Sequence, residues 1–326
     1  MKPLLSVIIP THNPHRDRLE RSLKGLQRQT LESENWELIL VDNATRDLDY
    51  LSRFDLRWHP NARVIREDRL GLTWARIAGI QASQGDYLVF VDDDNVLHPN
   101  YLRYAIAIFG VNQQLGAIAG KILPEFAVEP PDWIGDSFRR CLALRDLGDR
   151  ELVYPSAQEP LEPLRHPDFL PVGAGMALRR SAVNTYVERF TTGTLDLQKF
   201  PLDRTGRSLS SGGDCDLNLT VITSGWQAGY FPQLQLTHLI PSERLTKDYL
   251  AKLNYGSSRS WVQVLAIHGI CPWQPIPLWS VIPRQIKAFF SGQAWRDPTA
   301  YIRWRGACGI FVGLSELDEL EQTQKN

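Results

Sequence analysis

The stretch "DYLVFVDDDNVLHP" (86–99) decides the fold prediction, because an apolar run ends in three consecutive aspartates. The run 86–92 is short and rich in β-branched and aromatic residues, which indicates a buried strand. Three adjacent carboxylates repel one another, and each disfavours ionisation of the next. We therefore expect a positively charged group to offset the negative charge at the end of this strand.

The N-terminal half alternates between short apolar runs and helical patterns. Strands are predicted at 4–10, 36–43, 62–67 and 86–92, with helices after the first strand and at 72–83. Strands that alternate with helices are typical of an α/β fold with a doubly wound, mainly parallel sheet. Ligands bind such sheets beyond the carboxyl ends of the strands. We therefore expect residues 11–13, Asp42 and Asp92–Asp94 to converge on one site.

Composition narrows the class of protein. The 326 residues are 43% apolar and 22% charged, as in ordinary globular proteins, and the net charge of −1 does not indicate nucleic-acid binding. The four cysteines fit no zinc or disulfide spacing, which favours a reducing compartment. No apolar run approaches the roughly 20 residues that span a bilayer, so we expect a cytoplasmic protein.

The aspartate cluster has two interpretations. A helix N-cap or an Asx turn would need only one aspartate. Three carboxylates suit Mg²⁺ or Mn²⁺, which binds a few carboxylate oxygens together with substrate phosphates and water. The chain has neither GxGxxG after its first strand nor a P-loop, which disfavours nicotinamide and P-loop enzymes.

Several segments, taken together, resemble family 2 glycosyltransferases with the GT-A fold. They are "SVIIPTHN", "WELILVDNAT", "GLTWARIAGIQASQGDYLVFVDDDNVLHPNYL", "VGAGMALRRSAV" and "GGDCDLNLTVITSGWQAGYFPQLQLTHLIP". The resemblance implies a GT-A domain at 1–245, followed by a helical C-terminal extension at 246–326. It also implies metal-dependent, inverting transfer from a nucleotide-diphosphate sugar, with UDP favoured over GDP, to a hydroxyl of a glycan or lipid-linked acceptor. Such enzymes often build surface polysaccharides at the inner face of the membrane.

The resemblance also assigns the residues that bind the donor. These are Pro10, Thr11, His12, Asn13, Asp42, Arg76, Asp92 and Asp93. His12 stands where the family usually has tyrosine, and Asp42 would accept a hydrogen bond from the base. Arg76 would lie near the diphosphate, although a solvated helix face is the alternative. Asp94 would bind the metal, and His238 would complete its shell, bond the acceptor side or serve a structural role.

The same resemblance assigns the catalytic residues and a residue for the acceptor. Asp214 matches the general base, while Gly213 stands where the family usually has glutamate. Asp216 is an alternative base, and it could equally cap a helix at Leu217. Trp133, in "EPPDWIGD", would form a lid or stack on an acceptor sugar, unless the loop is simply packed.

Two other functions and two interpretations of the C-terminal region stay open. A nucleotidyltransferase shares a similar acidic metal site but releases pyrophosphate, and a non-catalytic relative would bind donor without turnover. In the extension, aromatic and basic residues alternate, which fits either a membrane interface or packing onto the sheet. They are Trp261, Trp273, Trp279, Phe289, Phe290 and Trp295, with Arg259, Arg284, Lys287 and Arg296.

Overall fold

The computed structural model describes residues 2–155, 167–192, 202–204 and 209–317. The strands of this part are β1 (Leu5–Thr11), β2 (Trp36–Asn43), β3 (Ala62–Glu67), β4 (Tyr87–Phe90), β5 (Asn95–Leu97), β6 (Leu115–Phe126), β7 (Leu152–Tyr154), β8 (Ala177–Arg179) and β9 (Gln227–Ile240). The helices are α1 (Arg16–Gln27), α2 (Leu72–Ala82), α3 (Tyr101–Val111), α4 (Asp136–Cys141), α5 (Arg180–Thr191), α6 (Gly213–Thr223), α7 (Lys247–Ile267), α8 (Val281–Ser291) and α9 (Pro298–Ser315).

All these strands form one mixed sheet. Its order is β3-β2-β1-β4-β8-β6-β9-β5, with β7 paired to β9. The first four strands are parallel, as the sequence predicts, and each begins and ends within two residues of its predicted bounds. Beyond β4 the sheet becomes mixed, because β8 runs antiparallel to both β4 and β6.

Two long strands run through prolines, β6 through Pro124 and β9 through Pro232. Pro232, which lacks an amide hydrogen, falls where the register of β6 and β9 shifts, so β9 continues past it. Helix α6 begins at Gly213, which places Asp214 and Asp216 in its first turn.

The sheet is buried on both faces, as expected for parallel strands covered by helices. Leu5, Val7 and Ile9 point into one apolar cluster, and Ile8 points into the other. Helix α7 contributes to both, with Leu250 in the first cluster and Val264 in the second. The sheet core therefore includes side chains from beyond residue 245. Within the described residues, no helix is both long and apolar enough to cross a membrane.

Candidate active site

The carboxyl ends of β1, β2 and β4 meet at one edge of the sheet. Thr11 and Asp42 are partners in the register of β1 and β2, and Phe90 of β4 lies opposite Ile8 of β1. The Thr11 hydroxyl donates a hydrogen bond to Oδ2 of Asp93 at 2.5 Å. The strand ends thus converge as the topology predicts, and the aspartate cluster faces the loop after β1.

Protein groups hold Asp42 and His12 in place at this edge. Oδ2 of Asp42 lies 2.6 Å from Nη1 of Arg66, and its Oδ1 accepts the amide N–H of Thr45 at 3.0 Å. Nδ1 of His12 lies 2.7 Å from the carbonyl oxygen of Asn43, so that nitrogen carries the hydrogen. The imidazole and the carboxylate are therefore fixed before any ligand binds.

Asn13 turns the chain after the predicted donor loop, while Pro10 is buried within β1. The Asn13 backbone has φ 46°, a left-handed conformation that asparagine tolerates better than most residues. Its Oδ1 accepts the amide N–H of Arg46 at 3.0 Å, and its Nδ2 lies 2.7 Å from Nε2 of His12. Asn13 thereby orients the imidazole from its second nitrogen.

The three aspartates have different surroundings. Asp94 is 3% exposed, whereas Asp92 and Asp93 are partly exposed. Burial, followed by the charge of Asp94, raises the pKa of Asp93 to about 6. Burial also raises the pKa of Asp92, although the positive charge of Arg76 opposes the rise. The positive charge near Asp92 and Asp93 therefore does not offset the effect of burial.

Arg244 supplies a positive charge to Asp94. Its Nη2 lies 2.8 Å from Oδ2 of Asp94, and its Nη1 lies 3.0 Å from Nε2 of His238. A guanidinium only donates, so Nε2 of the buried imidazole is the acceptor in this contact. Burial would raise the pKa of Asp94, but the positive charge around it, including that of Arg244, outweighs burial and lowers it.

The donor atoms of Asp94 and His238 fit a hard divalent cation. A carboxylate and an imidazole nitrogen, 3.5 Å apart, already face one positive group, the guanidinium of Arg244. Within the described part of the chain, no group of three or more His, Cys, Asp and Glu side chains is arranged to hold a metal. Mg²⁺ and Mn²⁺ need few protein ligands when phosphate and water complete the shell. The two residues therefore suit such a cation once Arg244 has moved.

Asp214 extends from the first turn of α6 with a carboxylate that is 22% exposed. Its Oδ1 accepts from Nη1 of Arg76 at 2.6 Å, and its Oδ2 accepts the amide N–H of Gly173 at 2.7 Å. A carboxylate oxygen has two lone pairs, so each can accept a second hydrogen bond. A Cβ on Gly173 would lie 2.0 Å from Nη2 of Arg76, which explains why glycine stands there.

Arg76 is buried at the centre of this arrangement. Its side chain is 2% exposed, its guanidinium stacks over the Phe90 ring at 5.1 Å, and Nη1 lies 3.8 Å from Oδ2 of Asp203. The alternative of a solvated helix face is therefore wrong. In this structure Arg76 positions Asp214, whereas its predicted contact with a diphosphate stays a prediction.

Asp203 is a buried carboxylate beside the predicted base, and it was not among the residues predicted from the sequence. Its Oδ1 accepts the amide N–H of Gly213 at 3.1 Å, and its Oδ2 accepts from the hydroxyl of Thr73 at 2.9 Å. A Cβ on residue 213 would lie only 2.1 Å from Oδ2 of Asp203. A carboxylate from another segment thus occupies the space that a side chain at 213 would need. No local pattern marks Asp203, because its contacts depend on the tertiary fold.

Asp216, the alternative base, is fully buried and engaged elsewhere. Its Oδ1 lies 2.9 Å from Nη1 of Arg189 and 2.8 Å from Nε2 of His268. It lies within α6 rather than at the N-cap, so the capping interpretation is wrong. A carboxylate with no exposed surface cannot reach an acceptor without rearrangement, and the burial of Asp216 argues for Asp214 as the base.

Trp133 is half-buried in the loop between β6 and α4. Its ring packs edge-on against Phe138 at 6.2 Å, and its carbonyl oxygen accepts from the Thr299 hydroxyl at 3.5 Å. Packing against Phe138 therefore explains why the indole is half-buried. The role of Trp133 in binding an acceptor stays a prediction. The contact places this loop against the start of α9.

Comparison with known proteins adds a family relationship. Residues 6–185 match the model of glycosyl transferase family 2. The chain is 40% identical over 101 residues to the uncharacterized glycosyltransferase EpsJ of Bacillus subtilis (strain 168). It is 33% identical over 99 residues to the putative teichuronic acid biosynthesis glycosyltransferase TuaG of the same organism. Each match covers 29% of this chain, and covers 27% of EpsJ and 37% of TuaG, about a third of their length.

A solved structure shares the fold over nearly the whole chain. The crystal structure of S. aureus TarS 1-349 in complex with UDP superposes with a TM-score of 0.52. It covers 98% of this chain and 92% of the TarS chain, at 12% sequence identity. At that identity the likeness speaks for the fold alone.

Proposed function

The chain belongs to glycosyl transferase family 2, and from this premise we propose that it moves a sugar from a nucleotide-diphosphate donor to an acceptor hydroxyl. The sequence-based predictions of family and of GT-A fold are confirmed, the first by the family match and the second by the likeness to TarS. The reaction, its residues and its substrates are proposals that rest on the site.

The observation that carries the proposal is the pairing of one accessible carboxylate with an acidic cluster. Asp214 is held by Arg76 and Gly173, and the guanidinium of Arg76 lies over the ring of Phe90, two residues before Asp92. A general base must lie beside the site where the donor is bound, so that the acceptor oxygen can reach the sugar. Asp214 supplies such a base, and the separate aspartate cluster at 92–94 supplies the proposed donor site.

We propose inverting transfer with Asp214 as the base. A free lone pair of its carboxylate takes the proton of the acceptor hydroxyl while that oxygen attacks the anomeric carbon. The bond from the anomeric carbon to the diphosphate oxygen breaks, and the nucleoside diphosphate leaves with the electron pair. Arg76 keeps the carboxylate oriented, because both Arg76 and Gly173 donate to it.

Asp94 and His238 are proposed to hold Mg²⁺ or Mn²⁺ after Arg244 has moved aside. A cation held there would supply positive charge to offset the negative charge of the departing diphosphate. Asp92 would contact the ribose or phosphate region of the donor, and Asp93, which Thr11 holds, would lie beside it. His12 and Asp42 would contact the base, through stacking and through a carboxylate oxygen.

The donor and acceptor are proposed by chemical class. A UDP-sugar is favoured, and the UDP complex of the similarly folded TarS supports this choice. A glycan or lipid-linked sugar is the proposed acceptor, because TuaG is named for teichuronic acid biosynthesis. We place the reaction in polysaccharide biosynthesis at the cytoplasmic face of a membrane.

Matched variants of α6 test the proposal. Asp214→Asn can keep one of the two hydrogen bonds that Asp214 accepts from Gly173 and Arg76, but it cannot take a proton, so we expect donor binding to persist and transfer to fall by at least ~100-fold. The assay measures nucleoside diphosphate released in the presence of acceptor. Asp216→Asn is the control, and its folding is checked by thermal unfolding because Asp216 is buried.

Three results would count against the proposal. Transfer that survives in Asp214→Asn and is lost in a folded Asp216→Asn would move the base to Asp216. Release of pyrophosphate instead of nucleoside diphosphate would identify a nucleotidyltransferase. Donor binding without any turnover across donors and acceptors would identify a non-catalytic relative.

A further inference from the structure

Helix α8 and the residues that flank it expose more large apolar side chains than any other segment of the described surface. The residues concerned, which we call the α8 face, are Leu278, Trp279, Ile282, Ile286, Phe290 and Trp295, exposed by 76%, 79%, 66%, 53%, 63% and 60%. Ile282, Ile286 and Phe290 are four residues apart, so they share one side of the helix. Apolar patches of this kind on a folded protein mark an interaction surface.

The adjacent side of α8 is fixed to the body of the protein. Val281 is 6% exposed, the ring of Phe289 packs edge-on against Trp304 at 5.1 Å, and the Trp304 indole N–H donates to the carbonyl of Gln285 at 2.9 Å. The helix is therefore not a frayed end that happens to expose its core side. Its apolar face points outward while its inner face is already packed.

The charge around this face has one predominant sign. Between residues 249 and 315 the only acidic residue is Asp297. The basic residues of the same segment are Lys252, Arg259, Arg284, Lys287, Arg296, Arg303 and Arg305. Arg259 is ion-paired with Glu316 and Arg296 with Asp297, so these two charges already have partners. Of the other basic residues, Arg284 and Lys287 lie on α8 itself and are exposed.

We propose that the α8 face docks on an anionic lipid bilayer, with the helix lying in the plane of the interface. An amphipathic helix with tryptophan and phenylalanine on one side and lysine or arginine beside them is suited to that position. Eleven residues of helix reach about 16 Å, too short to cross a hydrocarbon core of roughly 30 Å. A symmetric dimer through this face would instead place two basic segments against each other.

The fold places this face near the predicted acceptor loop. Only residues 292–297 separate α8 from α9, and Thr299 in the first turn of α9 contacts Trp133. A sugar held on a membrane lipid would thus be presented on the side of the protein where Trp133 lies. In this respect the inference rests on the proposed function, since it gives the lipid-linked acceptor a route to the site.

Vesicle flotation tests the surface without requiring turnover. We expect the full chain to float with vesicles of phosphatidylcholine and phosphatidylglycerol, and much less with phosphatidylcholine alone. Ile282→Ser/Ile286→Ser/Phe290→Ser should weaken this binding by at least ~10-fold, because the buried apolar area is lost. Arg284→Gln/Lys287→Gln should weaken it and reduce its sensitivity to salt.

The control is Leu48→Ser/Val111→Ser, which removes two other exposed apolar residues, 70% and 90% exposed, far from α8 in sequence. It should float like the unchanged chain. Failure of the unchanged chain to float, or equal binding by the α8 and control variants, would overturn the proposal. So would a dimer in solution that the α8 variant dissociates while neither chain floats.

The outcome is separable from that of the proposed chemistry. Because the α8 face is exposed and outside the active site, its variant should keep both its thermal unfolding midpoint and its donor binding. A chain that floats but transfers no sugar rejects the proposed reaction and retains the surface. A chain that transfers sugar but does not float rejects the surface alone.

Discussion

Arg244 joins Asp94 to His238 through one guanidinium group, at 2.8 Å and 3.0 Å. A buried carboxylate without a cation is costly, so an internal arginine stabilises the site before a ligand arrives. The same arginine then competes with any metal for the same lone pairs. Metal affinity in this protein should therefore be set by the balance between Arg244 and the incoming cation.

We predict that Arg244→Gln binds Mn²⁺ more tightly than the unchanged chain when no donor is present. Removing the competing cation should lower the dissociation constant by roughly 10-fold, which corresponds to ~1.4 kcal/mol. Titration followed by electron paramagnetic resonance of free Mn²⁺ measures this directly. Asp94→Ala should abolish the binding in either background.

The control for Arg244 is Arg53→Gln, which breaks an ion pair with Asp47 at the surface and should leave Mn²⁺ affinity unchanged. Weaker or equal Mn²⁺ binding by Arg244→Gln would show that the guanidinium does not compete with the metal. The sequence alone gave no reason to expect this competition. Arg244 follows β9 in the chain, and only pairing of β9 with β5 brings it beside Asp94.

At the scale of elements, the parallel strands were predictable and the mixed half of the sheet was not. β1, β2 and β4 are short apolar runs whose ends are marked by polar residues, so the local pattern is enough to predict them. β6 and β9 contain Pro124 and Pro232, and they pair with strands that lie far away in sequence. Their extent is set by these long-range partners, which a local pattern does not record.

The start of α6 depends on a glycine for the same long-range reason. We predict that Gly213→Ala destabilises the fold by ~1–3 kcal/mol, because the new Cβ would lie 2.1 Å from Oδ2 of Asp203. In an open helix the same change would stabilise by up to about 1 kcal/mol. Chemical denaturation of the purified chains measures the difference.

Gly110→Ala is the matched control for Gly213→Ala. Gly110 lies in α3, and a Cβ there would have no neighbour within 4 Å. It should be neutral or slightly stabilising. Pairing Gly213→Ala with Asp203→Ala should cost less than the sum of the single changes, since the clash is relieved. Strict additivity would show that Asp203 does not fill this space.

At the scale of the whole molecule, the sequence divides the chain at residue 245, whereas the packing crosses that boundary. Leu250 and Leu253 are 0% and 1% exposed within the cluster that contains Val7, and Val264 is fully buried in the cluster that contains Ile8. A unit that ended at 245 would expose both faces of the sheet core at these positions. The motifs of the family resemblance end near residue 245, whereas the hydrophobic core continues at least to Val264.

We therefore predict that a chain of residues 1–245 does not fold by itself. Losing two fully buried leucines and a valine costs several kcal/mol, comparable with the ~5–15 kcal/mol that stabilises a domain. Circular dichroism during heating should show no cooperative transition for 1–245, whereas 1–317, which retains α7 to α9, should unfold like the full chain. A cooperative 1–245 chain that binds donor would instead make 246–326 a separable extension, and it would then be tested alone for vesicle binding through α8.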